Sequence, residues 1–178
     1  MDQNGIDMRN FATRIVAMLF LATALLGSAA GAEGNTEFLG KFGDWNVIGY
    51  VENGNRNCYI HSTPVEQSGN YTRRGEPYIL VIRRPDRSEY VSVTSGYPYK
   101  QDGEVEVEIG DTTVMLFVDG EKGWTKSADD DTALVKAMRA GATLTVHGTS
   151  AKGTFSLDTY SLSGVTAALN EIRTSCSN

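Results

Sequence analysis

The sequence predicts a mainly β protein, an antiparallel β-sandwich or partly closed barrel with two short helices, one of them at the C-terminus. Three observations carry this. Glu104–Ile109 (EVEVEI) alternates carboxylates with Val105, Val107 and Ile109, a period of two that buries one face and wets the other. Short runs of β-branched and aromatic residues recur with turn signals between them, enough for roughly seven to nine strands. Helical spacing is confined to two stretches, one after Asp129-Asp130-Asp131 and one after Ser163.

Taken in order, Trp45–Val51 (WNVIGYV) is rich in strand formers. Asn53-Gly54-Asn55 then signals a turn into a strand at Cys58–His61. Pro64–Gly75 is polar and contains glycine, and is expected to be a loop. Tyr78–Arg83 (YILVIR) is nearly continuous in apolar character, as in a central strand, and Arg84–Arg87 turns it back into Tyr90–Thr94. Glu104–Ile109 pairs through Gly110-Asp111 with Thr113–Val118, while Asp119-Gly120 and Gly123-Trp124 punctuate a bend. The three aspartates should cap and charge a helix over Thr132–Ala140, with Gly141 just past its end. Strands follow at Ala142–His147 and Thr154–Tyr160. In the last segment Leu162, Val165, Leu169, Ile172 and Cys176 share one helical stripe. Trp45 and Phe117 are expected in the core.

Residues 1–32 read as a secretory signal peptide. Arg9 and Arg14 precede the apolar run Ile15–Leu26, and small residues end in Ala30-Gly31-Ala32. The run is shorter than the about 20 residues a membrane-crossing helix needs, and no later run is longer. Cleavage after Ala32 leaves a single β-rich domain, 33–178, with the net charge unchanged at −6. That balance argues against general nucleic-acid binding. Two cysteines, Cys58 and Cys176, behind an export signal predict a disulfide. A loop near 100 residues would gain about 4–5 kcal/mol in the chain-entropy picture, less any strain.

The candidate sites are few. Ser161 and Ser163 lack the G-x-S-x-G context of a nucleophile elbow, and Ser163 is better placed to cap the last helix. His147, Asp158 and a serine would make a hydrolase only if they converged in space. Asp129-Asp130-Asp131 lacks the alternate spacing of a calcium loop. No CxxC or HExxH occurs and histidine is scarce, so no catalytic residue, metal or cofactor is assigned. Arg73, Arg74, Arg83, Arg84 and Arg87 are the basic concentration. They could hold an anionic partner or pair across strands with Glu104, Glu106 and Glu108. The turn aromatics Tyr97 and Tyr99, near Trp124, are a second candidate partner surface.

Phe42-Gly43-Asp44-Trp45-Asn46-Val47, Cys58-Tyr59-Ile60, Gly153-Thr154, Asp158–Gly164 (DTYSLSG) and a terminal cysteine together resemble the invasion-associated locus B family over essentially all of the chain after residue 32. The resemblance implies an exported protein of Gram-negative bacteria, periplasmic or secreted and outer-membrane associated, with a small β-rich domain. Founding members are linked to host-cell entry, and no catalytic residue or cofactor carries over. A departure lies at Gly49-Tyr50, near which many members place a further cysteine. The expected function is a non-enzymatic envelope-associated or binding protein, its partner an unidentified protein or envelope component. The alternatives are a secreted hydrolase on His147 and Asp158, and a structural envelope protein acting through an open sheet edge.

Overall fold

The computed structural model describes residues 36–84 and 86–176. The expected signal segment, with its apolar run and the cleavage point after Ala32, lies outside the described residues.

Eleven strands make one antiparallel sheet. In chain order they are β1 (Thr36–Phe42), β2 (Trp45–Glu52), β3 (Asn55–Ser62), β4 (Glu66–Gly69), β5 (Tyr78–Arg83), β6 (Glu89–Thr94), β7 (Glu104–Ile109), β8 (Thr112–Asp119), β9 (Lys122–Trp124), β10 (Thr143–Thr149) and β11 (Phe155–Ser161). Helix α1 (Ala128–Ala140) lies between β9 and β10, and α2 (Val165–Ser175) ends the chain. The sheet order is β1-β2-β3-β5-β6-β9-β8-β7-β10-β11-β4.

The ladder does not close, but the sheet bends back on itself. β2 and β11 stand second and tenth in that order, yet Trp45 of β2 donates from Nε1 to the Ser161 carbonyl of β11 at 3.0 Å. The inner faces therefore share one core. It runs from Val47, Ile60, Val81 and Val93 to Val107, Leu116, Leu144 and Tyr160. α1 covers β6 and β8, α2 covers β1, β2 and β3, and the helices touch each other.

Period-two patterning sets the register. Val105, Val107 and Ile109 are buried while Glu104, Glu106 and Glu108 face outward. In β8 the same rule buries Val114 and Leu116 and puts Met115 and Phe117 outside, so Phe117, expected in the core, is exposed. Within Pro64–Gly75, expected to be a loop, Glu66–Gly69 forms β4, paired by backbone alone to β11 with every side chain exposed. β9, expected as a bend, pairs β6 to β8 through Gly123. There a Cβ would come within 3.0 Å of Val93 Cγ2. The two edges are blunted: β4 has four residues, and β1 has a register shift between Phe38 and Gly40.

The helix ends correct two expectations. Ser127, not an aspartate, caps α1, its Oγ accepting from the Asp130 N–H at 3.1 Å. The three aspartates occupy the first turn, where they complement the helix dipole. Gly164, not Ser163, is the N-cap of α2, and no side chain caps it.

Candidate functional site

Five arginines were candidates for one basic patch, and the fold divides them. Arg74 is internal. It donates from Nη1 to Asp158 Oδ2 at 2.7 Å and from Nη2 to Asp158 Oδ1, with both side chains buried. It also reaches Gln67 Oε1 and the Ser95 carbonyl, and its guanidinium lies 4.4 Å from the Tyr71 ring centre. Burial alone would lower its pKa, but the hydrogen bonds and charge of Asp158 hold it up. Arg73 is an exposed neighbour on the same segment. Arg74 is thus a structural tie, not part of a partner surface.

Tyr97 and Tyr99 belong to the same interior network. Both are buried. Tyr97 Oη bonds Ser156 Oγ at 2.6 Å, and Tyr99 Oη bonds Ser95 Oγ at 2.7 Å. The rings meet edge to face over Gly148, where a Cβ would lie 2.8 Å from Tyr97 Oη. Burial raises the pKa of both phenols. Core packing accounts for this pair, which corrects their placement on a partner surface.

Nor do the hydrolase residues converge. Val146, not His147, is opposite Asp158 in the β10–β11 ladder. Asp158 points into the core, whereas His147 is exposed and contacts Glu108 at 3.3 Å on the outer face. Ser161 Oγ accepts from the Ser163 N–H at 3.2 Å, and the Ser163 carbonyl accepts from the Asp44 N–H at 3.1 Å. The FGDW and DTYSLSG stretches therefore meet as one joint: built at Gly43, a Cβ would stand 2.3 Å from the Ser163 carbonyl oxygen, and at Gly164 2.1 Å from that of Phe42. Among the described residues no group of three or more His, Cys, Asp or Glu could hold a metal ion.

Arg83, Arg84 and Arg87 do come together, at the β5–β6 turn, with cations the sequence reading left aside. They form one wall of a groove of about 790 Å³ whose other walls are the β9–α1 segment, α1 and the end of α2. Its floor is an ion cluster. Glu89, nearly buried, accepts from Arg83 Nη1 at 3.2 Å and from Arg173 Nε and Nη2 at 2.6 Å each. One carboxylate thus answers two guanidinium groups. Arg139, in the last turn of α1, donates from Nη1 to Asn170 Oδ1 at 3.2 Å. Its buried Nε and Nη2 have no hydrogen-bond partner among the described residues. Desolvation and then the charge of Arg173 lower its pKa.

The rim adds Arg84, stacked 4.1 Å from the Tyr90 ring centre, and the exposed Lys136. Lys126 pairs with Glu104. The glutamate face of β7 is thus answered by Lys126, His147 and Thr145, not by the arginines expected to pair with it. Asp131, the other carboxylate of the lining, accepts from the Val91 N–H at 2.9 Å and from Thr125 Oγ1; burial raises its pKa, against those bonds and the charge of Arg84. In all, seven cationic side chains and two carboxylates line the groove, in a chain of net charge −6.

The sulfur atoms of Cys58 and Cys176 are at disulfide distance, with Cα atoms 6.0 Å apart. They join β3 to the end of α2 beside this groove.

A family model described as invasion associated locus B (IalB) protein matches residues 45–173. Among solved structures, the crystal structure of invasion associated protein B from Bartonella henselae is similar in fold. Its TM-score is 0.58 at 20% identity, over 79% of this chain and 95% of that one. A search of curated proteins finds no match.

Proposed function

The chain belongs to the invasion associated locus B family, and we propose that it is an exported, non-enzymatic binding protein of the bacterial envelope whose recognition surface is the cationic groove. In this reading residues 1–32 are a signal removed on export and 33–178 are the mature domain. The mature protein is periplasmic or secreted and outer-membrane associated, and contact with a host cell is one use of such a protein. No helix among the described residues is long and apolar enough to cross a membrane.

The observation that carries the reading is the concentration of cations between the β5–β6 turn and the two helices of an otherwise acidic chain. A field of that sign focuses anions into a concave surface. The separation of His147 from Asp158 speaks against the hydrolase reading, and the blunted edges speak against assembly through an open strand.

The test is expression of the full chain in a Gram-negative host, with recovery of the mature protein and N-terminal sequencing. We expect a chain starting at Glu33 in the periplasmic or membrane-associated fraction. Its capture of envelope components should fall on adding salt and with the Arg84→Gln/Lys136→Gln variant. Retention in the cytoplasm with residue 1 intact, or capture indifferent to both charge changes, would defeat the reading.

A further inference from the structure

We infer that the groove between the β5–β6 turn, α1 and α2 is a binding site for a phosphomonoester carried on a hydroxyl-rich body. This deepens the groove's role as the recognition surface and rests on it. Two features select the ligand chemistry. The first is the gathering of cations around few carboxylates. Glu89 is shared between Arg83 and Arg173, and Asp131, the other carboxylate of the lining, feels the charge of Arg84. Arg84, Lys136 and Arg139 line the same groove.

A lone carboxylate is satisfied by one bidentate arginine, as Glu89 already is by Arg173. A phosphomonoester carries about −1.5 to −2 charge at pH 7 and three strong acceptor oxygens. It can therefore take donors from three directions at once. Arg84 on the β5–β6 turn, and Lys136 and Arg139 one turn apart on α1, line one such space from two elements.

The second feature is size and wall chemistry. At about 790 Å³ the groove exceeds what one inorganic anion fills and falls in the range of small-molecule sites. The wall opposite the arginines carries Thr125, Ser127 and Thr132, whose oxygens keep lone pairs for sugar or glycerol hydroxyls. Apart from Ala128 and Val135 every lining side chain is polar or charged, a wall that suits a hydroxyl-rich body. The ligand class is therefore a sugar phosphate or the headgroup of a phosphate-bearing lipid, two sources of one chemistry.

Calorimetry on the disulfide-intact mature protein tests this with glucose 1,6-bisphosphate as the soluble probe. Co-sedimentation with phosphatidylcholine vesicles, with and without phosphatidic acid, covers the lipid source. Binding of either phosphate probe, with about tenfold weaker affinity in Arg139→Gln, supports the site. Because Arg139 contacts Asn170 and could matter for packing, Arg84→Gln/Lys136→Gln, on exposed side chains, must also weaken binding, with an unchanged melting temperature.

Binding of the soluble probe alone assigns a sugar phosphate, and of the vesicles alone a headgroup. Glucuronate or citrate bound as tightly as the bisphosphate would overturn the phosphate assignment, as would probe binding that both variants retain in full. If neither phosphate probe binds while envelope capture still depends on Arg84 and Lys136, the ligand class is wrong and the groove stands. If capture is also independent of them, the groove reading falls as well.

Discussion

At the scale of single residues, Arg74 and Asp158 show how a charge becomes structural. They are 84 positions apart in the chain, and the fold brings them together with both side chains out of water. Desolvating two ions is costly, and the pair is tolerated because its geometry is bidentate and Gln67 and Ser95 take further guanidinium N–H groups. Removing one partner leaves the other charge buried alone. Asp158→Ala should cost about 3–5 kcal/mol, well above the about 0–1 kcal/mol expected for breaking the exposed Arg56–Glu37 pair with Glu37→Ala. Urea unfolding of the two variants checks it, and equal losses would contradict the burial argument. Nothing local in the sequence marks Arg74 for this role. It stands beside Arg73 and reads as half of a basic doublet until the sheet bends and brings β11 to it.

Among the elements, the contact between the β1–β2 turn and the β11–α2 turn turns a strand into a docked helix. Gly43 (φ 54°) and Gly164 (φ 88°) are both left-handed, and each would drive a Cβ into the other's backbone. Gly110 is left-handed too (φ 55°) but has open space around it. Left-handed strain alone costs an alanine about 1–2 kcal/mol. Gly110→Ala should lose about that, while Gly43→Ala and Gly164→Ala should each lose more, because backbone cannot move aside as a flexible side chain can. Melting temperatures of the three variants decide it, and a Gly164→Ala loss no larger than that of Gly110→Ala would remove the steric contribution. The FGDW and DTYSLSG stretches were legible as signatures, but their contact was not, since neither holds information about the other. Elements with apolar alternation, such as β7 and the stripe of α2, were legible because burial imposes their period. β4 was not, because its pairing uses backbone groups that every sequence has. The groove was half legible. Arg83, Arg84 and Arg87 stand close in the chain, but Arg139 and Arg173 each look like the ordinary basic residue of a helix's last turn. Only the convergence of the two helix ends brings them to one groove.

Over the whole molecule, a cysteine pair at disulfide distance links an early strand to the end of the last helix. Cys58 is buried on β3 and Cys176 ends α2, 118 positions later. A bond across so long a loop acts mainly on the unfolded chain, with a chain-entropy ceiling of about 4–5 kcal/mol. The native contacts of α2 do not depend on it: Val165, Leu169 and Ile172 are buried in the core, and Arg173 holds Glu89 through two hydrogen bonds. Breaking the bond should therefore lower stability without unfolding the domain. Both sulfurs must be changed together, because a single substitution leaves a lone thiol that can form mixed disulfides. We expect Cys58→Ser/Cys176→Ser to keep the far-ultraviolet spectrum of the parent. Its urea midpoint should move down by an amount worth about 2–4 kcal/mol, and dithiothreitol should bring the parent to nearly the same midpoint. Thiol titration of the denatured, unreduced exported protein should find no free cysteine. Two reactive thiols per chain, or a midpoint unmoved by both treatments, would show that the bond does not form, and that α2 is held at the groove by its apolar face and Arg173 alone.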